Sequence, residues 1–496
     1  MKKIVYSFVA VIILLTSCED RLDINRDPDL LSQDAAALSS EIAVGIMGIG
    51  ATQSSYYALI GGIWSQQWAQ SLAASQYRAI DDYTIGTNDY TGGWDNMYDA
   101  LSDIRNAKRI ALNQENWNYY LIATCLEAYA SQILTDFYND IPYTEANLGI
   151  ENLQPSFNTG QEVYDLMIED LNDALSRDLS SSATPAPGQD DFIFSGNMDR
   201  WVEFANTLKL KIFLRQTQAR PSVAQAGIME MINSGAAFLT VDAGVGLNGD
   251  VFEDEANLSN PLYETDRRQL NTSTNLRAST TMYSFLATNL DPRLEAYYGA
   301  GNSLDQGDYN SSAAPNSVSV ANISALAPIY FISAAQSYFM QAEAMERYNG
   351  GAGAKELYDA GVLAAFDKSP VFDSDTFAII TTLDGSPFIA SGGAYEYPSS
   401  GTFDDKLTAI ITQKWLSNYP DNGYESFFEQ HRTGIPVISD VPQSDDMYVP
   451  GEFAYSVTGA TGGVFPQRIV YPNTELSRNS NAPSIVEITV PVWWNN

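Results

Sequence analysis

The sequence predicts a mainly α-helical protein in which pairs of helices alternate with long loops. Three observations predict it. Apolar residues recur at spacings of three and four over several long segments, the period of a helix that buries one side. These segments return in pairs along the chain. Between the pairs lie stretches rich in Gly, Asn, Asp and Tyr that are too long to be simple connections, and loops of that length tend to carry function.

The N-terminal residues stand apart from this pattern. Lys2 and Lys3 precede a mostly apolar run from Ile4 to Leu15. A bilayer span takes roughly 20 apolar residues, so the run is too short to cross one but has the length of an export-signal core. Leu15-Thr16-Ser17-Cys18 closes it and resembles the bacterial lipobox, in which the Cys is lipidated and becomes the first mature residue. Residues 1–17 are therefore expected to be a lipoprotein signal peptide. Residues 18–34 are expected to be the lipid-bearing Cys18 and a polar linker interrupted by Pro28, and residues 35–496 one helical domain with long inserted loops.

Composition narrows the function. The chain has 496 residues, 45% of them hydrophobic, enough to bury a large core. Its net charge is −35, and loss of Lys2 and Lys3 with the signal takes it to −37. Nucleic acid and anionic headgroups need cationic side chains, so neither is an expected partner, and the membrane is reached through the lipid alone. With Cys18 lipidated, Cys125 has no disulfide partner, and its apolar surroundings in Tyr119–Leu134 mark it as a small buried hydrophobe. The single histidine, His431, has nothing nearby to complete a zinc site or a Ser-His-Asp system. No catalytic residue, metal ligand or cofactor is expected. The 29 Tyr and 8 Trp suit a surface where a flat apolar ring meets water, a common feature of large extracellular proteins as well.

Element by element, the segment from about Ala35 through Gly45, Gly48 and Gly50 to Trp64 and Trp68 reads as a helix packed closely at its glycines. Residues 75–93 read as an aromatic-rich loop. Trp94, Met97, Tyr98, Leu101 and Ile104 mark a helix, and Tyr119–Leu134, apolar nearly all round, its buried partner. Val163 to Leu175 marks a further helix, and Trp201 to Arg215 another with Asp199 as N-cap. Residues 241–325 read as loop-dominated. A helix is expected from about Pro328 through Tyr338 and Ala342, paired with Tyr358–Phe366, and a last pair over Lys406–Ser417 and Tyr424–Gln430. Ala334 and Tyr338 have the spacing of small and aromatic positions in a tetratricopeptide unit, so the pairs read as degenerate tetratricopeptide-like repeats with no strict period.

Several segments carry a resemblance that covers nearly the whole mature chain. Leu22-Asp23-Ile24-Asn25-Arg26-Asp27-Pro28 is similar to the opening of mature SusD/RagB-type lipoproteins. Asp136-Phe137-Tyr138-Asn139-Asp140-Ile141-Pro142-Tyr143-Thr144-Glu145-Ala146 resembles that family's most recognisable segment, with Asn139 where Gly is usual. Trp201 to Leu210, Gln341-Ala342-Glu343-Ala344, Gln413-Lys414-Trp415, Arg432-Thr433-Gly434, Phe465 to Glu475 and Trp493-Trp494 follow in the family's order, with His431 replacing a frequent Arg. The resemblance implies a SusD-like fold of tetratricopeptide-like pairs under a binding face. It also implies a lid on a SusC-like TonB-dependent outer-membrane barrel, capturing an oligosaccharide or sometimes a peptide. Glu19-Asp20 after Cys18 resembles a surface-export signal, placing the chain on the outer membrane facing outside. The motif residues themselves read as scaffold, with Asp140 and Arg432 as buried or half-buried partners.

A sugar ring is apolar on its C–H face and rimmed by hydroxyls, so it suits aromatic platforms beside Asp, Asn and Arg. On that ground the candidate ligand-binding residues are Tyr77, Asp82, Tyr83, Asn88 and Tyr90 in the first loop, and Asn260, Tyr263, Arg267 and Tyr309 in the long middle one. Trp64 and Trp68 are expected in the core. A glycoside hydrolase working through two carboxylates is one alternative, which no motif supports, and a purely structural or adhesive surface protein that shares the anchor and the acidity is another. Asn248-Gly249-Asp250 and Glu253-Asp254-Glu255 are acidic but do not match an EF-hand loop, and read as solvated.

Overall fold

A computed structural model describes residues 37–270, 275–299, 301–373 and 375–495. The expected signal peptide, Cys18 and the linker lie outside the described residues. The fold is mainly helical, with three two-stranded antiparallel sheets of two to four residues per strand.

The N-terminal helix expected to Trp64 runs as Leu38–Thr52, a π-turn over Gln53–Tyr57, and Ala58–Trp64. Its glycines allow close approach: a Cβ on Gly48 would lie 2.8 Å from the Ala100 Cβ. That face therefore nests against Gly92–Asn113, which in turn packs on Trp117–Tyr138. Trp117–Tyr138 is buried nearly all round, including Cys125, and Gly160–Ser176 and Met198–Arg215 pack on it from other sides. Ala334–Tyr348 packs on Ala354–Asp367 and on Phe403–Ser417, which leads into Gly423–Thr433. One continuous apolar core runs through Trp64, Trp68, Leu126, Phe137, Phe204, Phe331 and Phe428. A second, around Phe339, Tyr358, Phe366 and Ile410, joins the later pairs.

Four details differ from the sequence reading. Asn197, not Asp199, caps Met198–Arg215, its side chain accepting from the Arg200 N–H. Asp199 instead falls in the first turn, where a carboxylate is favoured by the helix dipole. No helix begins at Pro328: Ile329–Ile332 is a strand paired with Ala243–Val245, and the helix starts at Ala334 under the Ser333 cap. The β-branched and aromatic run Ile329-Tyr330-Phe331-Ile332 prefers a pleated surface, and that preference overrides the first-turn signal of proline. The stretch 241–325 contains helices Thr280–Thr288 and Arg293–Tyr298, and Pro221–Ser234 is a further helix. Trp68 is buried as expected but sits on a strand, opposite Ala278.

The motif segments converge on a buried ion network. Arg215 reaches Asp136 at 3.1 Å, Glu425 at 2.6 Å and Glu429 at 2.8 Å. Arg432 forms paired contacts to Glu343 at 2.6 and 2.7 Å and also bonds Glu429. Lys211 lies 2.6 Å from Glu425 and Lys414 lies 3.4 Å from Glu429. Burial raises the Glu429 carboxyl, but Arg432, Lys414 and Arg215 outweigh it and hold it well below the usual carboxylate range. Asp136 also accepts from the Tyr164 hydroxyl and from the Trp494 indole at 2.8 Å. Asp140 and Arg432 are therefore not each other's partners. Asp140 accepts from the Gly160 N–H at 2.9 Å, just where the chain turns out of its helix.

Candidate ligand-binding cavity

A cavity of about 750 Å³ opens among the segments that follow the helix ends. Ligand pockets are commonly about 300–1,000 Å³ and mostly apolar with a few polar groups. Its walls come from Val241-Asp242 and Gly246–Gly249, which flank the strand Ala243–Val245, from Tyr330 on the partner strand, the stretch Asn322–Pro328, the hairpin Val371–Phe372 with Ile379–Thr381, and the turn Tyr419-Pro420-Asp421. That turn leads into Gly423–Thr433, so the helix bearing Glu425, Glu429 and Arg432 also positions one cavity wall.

Tyr297 and Tyr419 are buried and stacked with ring centres 4.1 Å apart. Their hydroxyls are fixed, Tyr297 donating to the Leu416 carbonyl at 3.0 Å and Tyr419 to the Tyr297 carbonyl at 2.7 Å. Three further rings, Tyr330, Phe372 and Phe377, are half-buried. Phe377 has φ +56°, a backbone conformation rare for an aromatic residue. Its N–H donates to the Asp373 carbonyl at 2.8 Å and the Asp373 N–H to the Ala378 carbonyl at 2.8 Å, which hold it there. Strain of this kind concentrates at functional sites.

Polar groups are few. Asn260 caps a short turn, accepting from the Leu262 N–H at 2.9 Å, and its amide donates to the Ala327 carbonyl at 2.9 Å. Lys368 donates to the Ser417 carbonyl at 2.7 Å, and its ammonium lies 4.4 Å from the Tyr330 ring centre. Burial lowers its basicity, against the Asp421 and Asp242 carboxylates. Asp421 is 1% exposed, and burial pushes its carboxyl up to about 6 in spite of Lys368.

The sequence-selected residues fall in two places. Asn260 lines the cavity, and Tyr263 stands behind it with its ring edge-on to Phe377 at 5.5 Å. Arg267 pairs with Asp266 at 3.1 Å and donates to the Ala321 carbonyl at 2.7 Å, beside the cavity wall. Tyr77 and Tyr83 are each 3% exposed, so neither offers a ring face to a ligand. Tyr77 donates to Asp266 at 2.9 Å, and Tyr83 packs edge-on to Tyr455 at 5.4 Å. Tyr309 donates to both oxygens of Asp82 at 2.7 and 2.8 Å, Thr458 donates to the same carboxylate, and Arg78 lies over the Tyr309 ring at 4.4 Å. These contacts tie one loop to another. Tyr90 is half-buried and donates to the Gln76 carbonyl at 3.2 Å, and Asn88 is exposed.

The sequence reading did not select Tyr330, Phe377 or Asp421. Phe377 lies in Phe372-Asp373-Ser374-Asp375-Thr376-Phe377, an aromatic among small polar residues between two helices, so the criterion applied to 75–93 also selects it. Tyr330 falls in the helix expected from Pro328, and Asp421 in the short connection between the last expected helix pair, Lys406–Ser417 and Tyr424–Gln430. Among the described residues, no group of three or more His, Cys, Asp or Glu side chains is arranged to hold a metal ion. Asp254 pairs with Arg268, and Asn248 and Gly249 line the cavity.

Helix pairs locked by buried charge, with an aromatic cavity built from the segments between them, define a scaffold-and-receptor type of molecule. The chain belongs to the SusD-like family described as starch-binding associating with outer membrane, whose model matches residues 32–456. Solved structures share the fold. A SusD homologue of Bacteroides uniformis superposes with TM-score 0.71 at 22% identity over 92% of this chain and 99% of that one. A chitin-binding SusD homologue of Flavobacterium johnsoniae gives 0.70 at 21% identity over 92% and 98%. A SusD homologue of Bacteroides thetaiotaomicron gives 0.65 at 20% identity over 93% and 99%. No curated protein sequence matches the chain. No helix among the described residues is long and apolar enough to cross a membrane.

Proposed function

We propose that the protein is an outer-membrane lipoprotein, anchored through Cys18 and facing outside, that captures an oligosaccharide and passes it to a SusC-like TonB-dependent barrel without chemical change. The observation that carries this reading is the cavity: half-buried rings around a space large enough for a few sugar units, with fixed polar groups at its edge. The family's description as starch-binding and outer-membrane-associated supports it, as does the chitin-binding relative. Export through the Leu15–Cys18 lipobox would bring the receptor to the membrane that the barrel occupies. A peptide is the second ligand class.

Calorimetry with a panel of neutral oligosaccharides and short peptides tests the proposal, with Phe377→Ala and Tyr263→Ala alongside. The expected result is binding of at least one oligosaccharide with no new reducing ends. Phe377→Ala should weaken it about tenfold, the loss of one ring contact of about 1.4 kcal/mol, and Tyr263→Ala less, because it acts through Phe377. Peptide binding without sugar binding would move the assignment to the second class, and turnover would overthrow the binding-only reading.

A further inference from the structure

The cavity is unevenly charged. Among its lining residues Asp242, Asp367 and Asp421 carry carboxylates and only Lys368 an ammonium. That ammonium is already engaged by the Ser417 carbonyl and the Tyr330 ring. Asp242 is engaged too, accepting from the Ala334 N–H at 2.7 Å. Asp367 is exposed at the rim.

Asp421 differs from both. It is 99% buried by the complement of its 1% exposure, yet neither carboxylate oxygen has a hydrogen-bond partner. The Lys368 charge and the Tyr330 backbone N–H ease the charge of this buried carboxylate. Buried Asp191, by contrast, accepts from three backbone N–H groups and the Trp201 indole. A buried carboxylate short of donors is costly, and each such group in a native structure calls for an explanation.

Resting on the oligosaccharide reading above, we infer that this cavity selects saccharides that carry a protonated amine, with Asp421 as the counter-charge beneath the bound sugar. An ammonium brings three N–H donors to Asp421 and is attracted to the face of Phe377. A uronate or sulfated sugar would meet three carboxylates and one committed cation. Asp421 lines the cavity, so a small side-chain shift would bring its oxygens to a bound sugar.

The test is calorimetry at about pH 6.5, where sugar amines are substantially protonated, with three tetrasaccharides: glucosamine, N-acetylglucosamine and galacturonate. The glucosamine tetramer should bind about tenfold more tightly than the N-acetylated one, and the galacturonate tetramer least. Asp421→Asn should bring the glucosamine tetramer down to the affinity of the N-acetylated one. In the unaltered protein the preference should shrink as salt is raised, a readout that does not depend on the variant folding. Equal binding of the first two, or tighter binding of the neutral or acidic tetramer, overturns the inference and leaves the oligosaccharide reading standing. A preference that survives Asp421→Asn removes Asp421 from it. Binding of none of the three, nor of any neutral oligosaccharide in the wider panel, contradicts the oligosaccharide reading itself.

Discussion

Arg432→Met is expected to lower the free energy of unfolding by about 3–5 kcal/mol. Arg432 is 2% exposed and meets Glu343 through two parallel hydrogen bonds, with Glu429 on its other side. Removing it leaves two carboxylates buried with part of their charge uncompensated, and that desolvation, more than the lost attraction, sets the size of the effect. Arg347 remains 2.7 Å from Glu343, and Arg215 and Lys414 remain beside Glu429, so the loss stays within that range. Chemical denaturation measures it. The double variant Arg432→Met, Glu343→Gln should be more stable than Arg432→Met alone, because it removes one of the stranded charges. A midpoint unchanged in Arg432→Met would show that water reaches the network and screens it.

Gly61→Ala should destabilise by about 2–3 kcal/mol, although alanine is the better helix former by about 1 kcal/mol. A Cβ at Gly61 would lie 2.1 Å from the Tyr424 backbone nitrogen and 2.3 Å from its Cα. Across the same contact, a Cβ at Gly423 would lie 2.7 Å from the backbone of Gly62. Both clashes are with backbone, so one helix must move away from the other, and overpacking outweighs the propensity gain. Asp421 and Tyr419 immediately precede the Gly423–Thr433 helix, so its displacement should reshape the cavity wall and weaken ligand binding as well. Thermal unfolding gives the first effect and calorimetry the second. An unshifted melting temperature would mean that the two backbones are not in contact in solution.

The helical scaffold was legible because its burial is periodic: Trp94 to Ile104, Val163 to Leu175 and Tyr358 to Phe366 repeat at helical spacing and form helices. The motif residues were legible as scaffold, but their partners were not. Asp136, Arg215, Glu343 and Arg432 lie far apart in sequence, and no local spacing says which acid meets which base. Short elements escaped for another reason. Ile329–Ile332 owes its strand to pairing with Ala243–Val245, a non-local contact that overrides the helix signal of Pro328. In the loops, aromatic residues in polar company proved a mixed guide. Tyr77 and Tyr83 are drawn into the core, where Asp266 and Tyr455 receive them, whereas Phe377 is kept at a cavity edge by its backbone.

The central claim is that ligand is held where the inter-helix segments 241–249, 322–330, 367–373, 375–379 and 419–421 meet. Hydrogen exchange with and without saturating oligosaccharide tests it most directly. Slowed exchange in those segments, with Trp117–Tyr138 unaltered, is the predicted result. Slowing confined to residues 78–90 and 305–309 would place the ligand on the Asp82–Tyr309 face and contradict it.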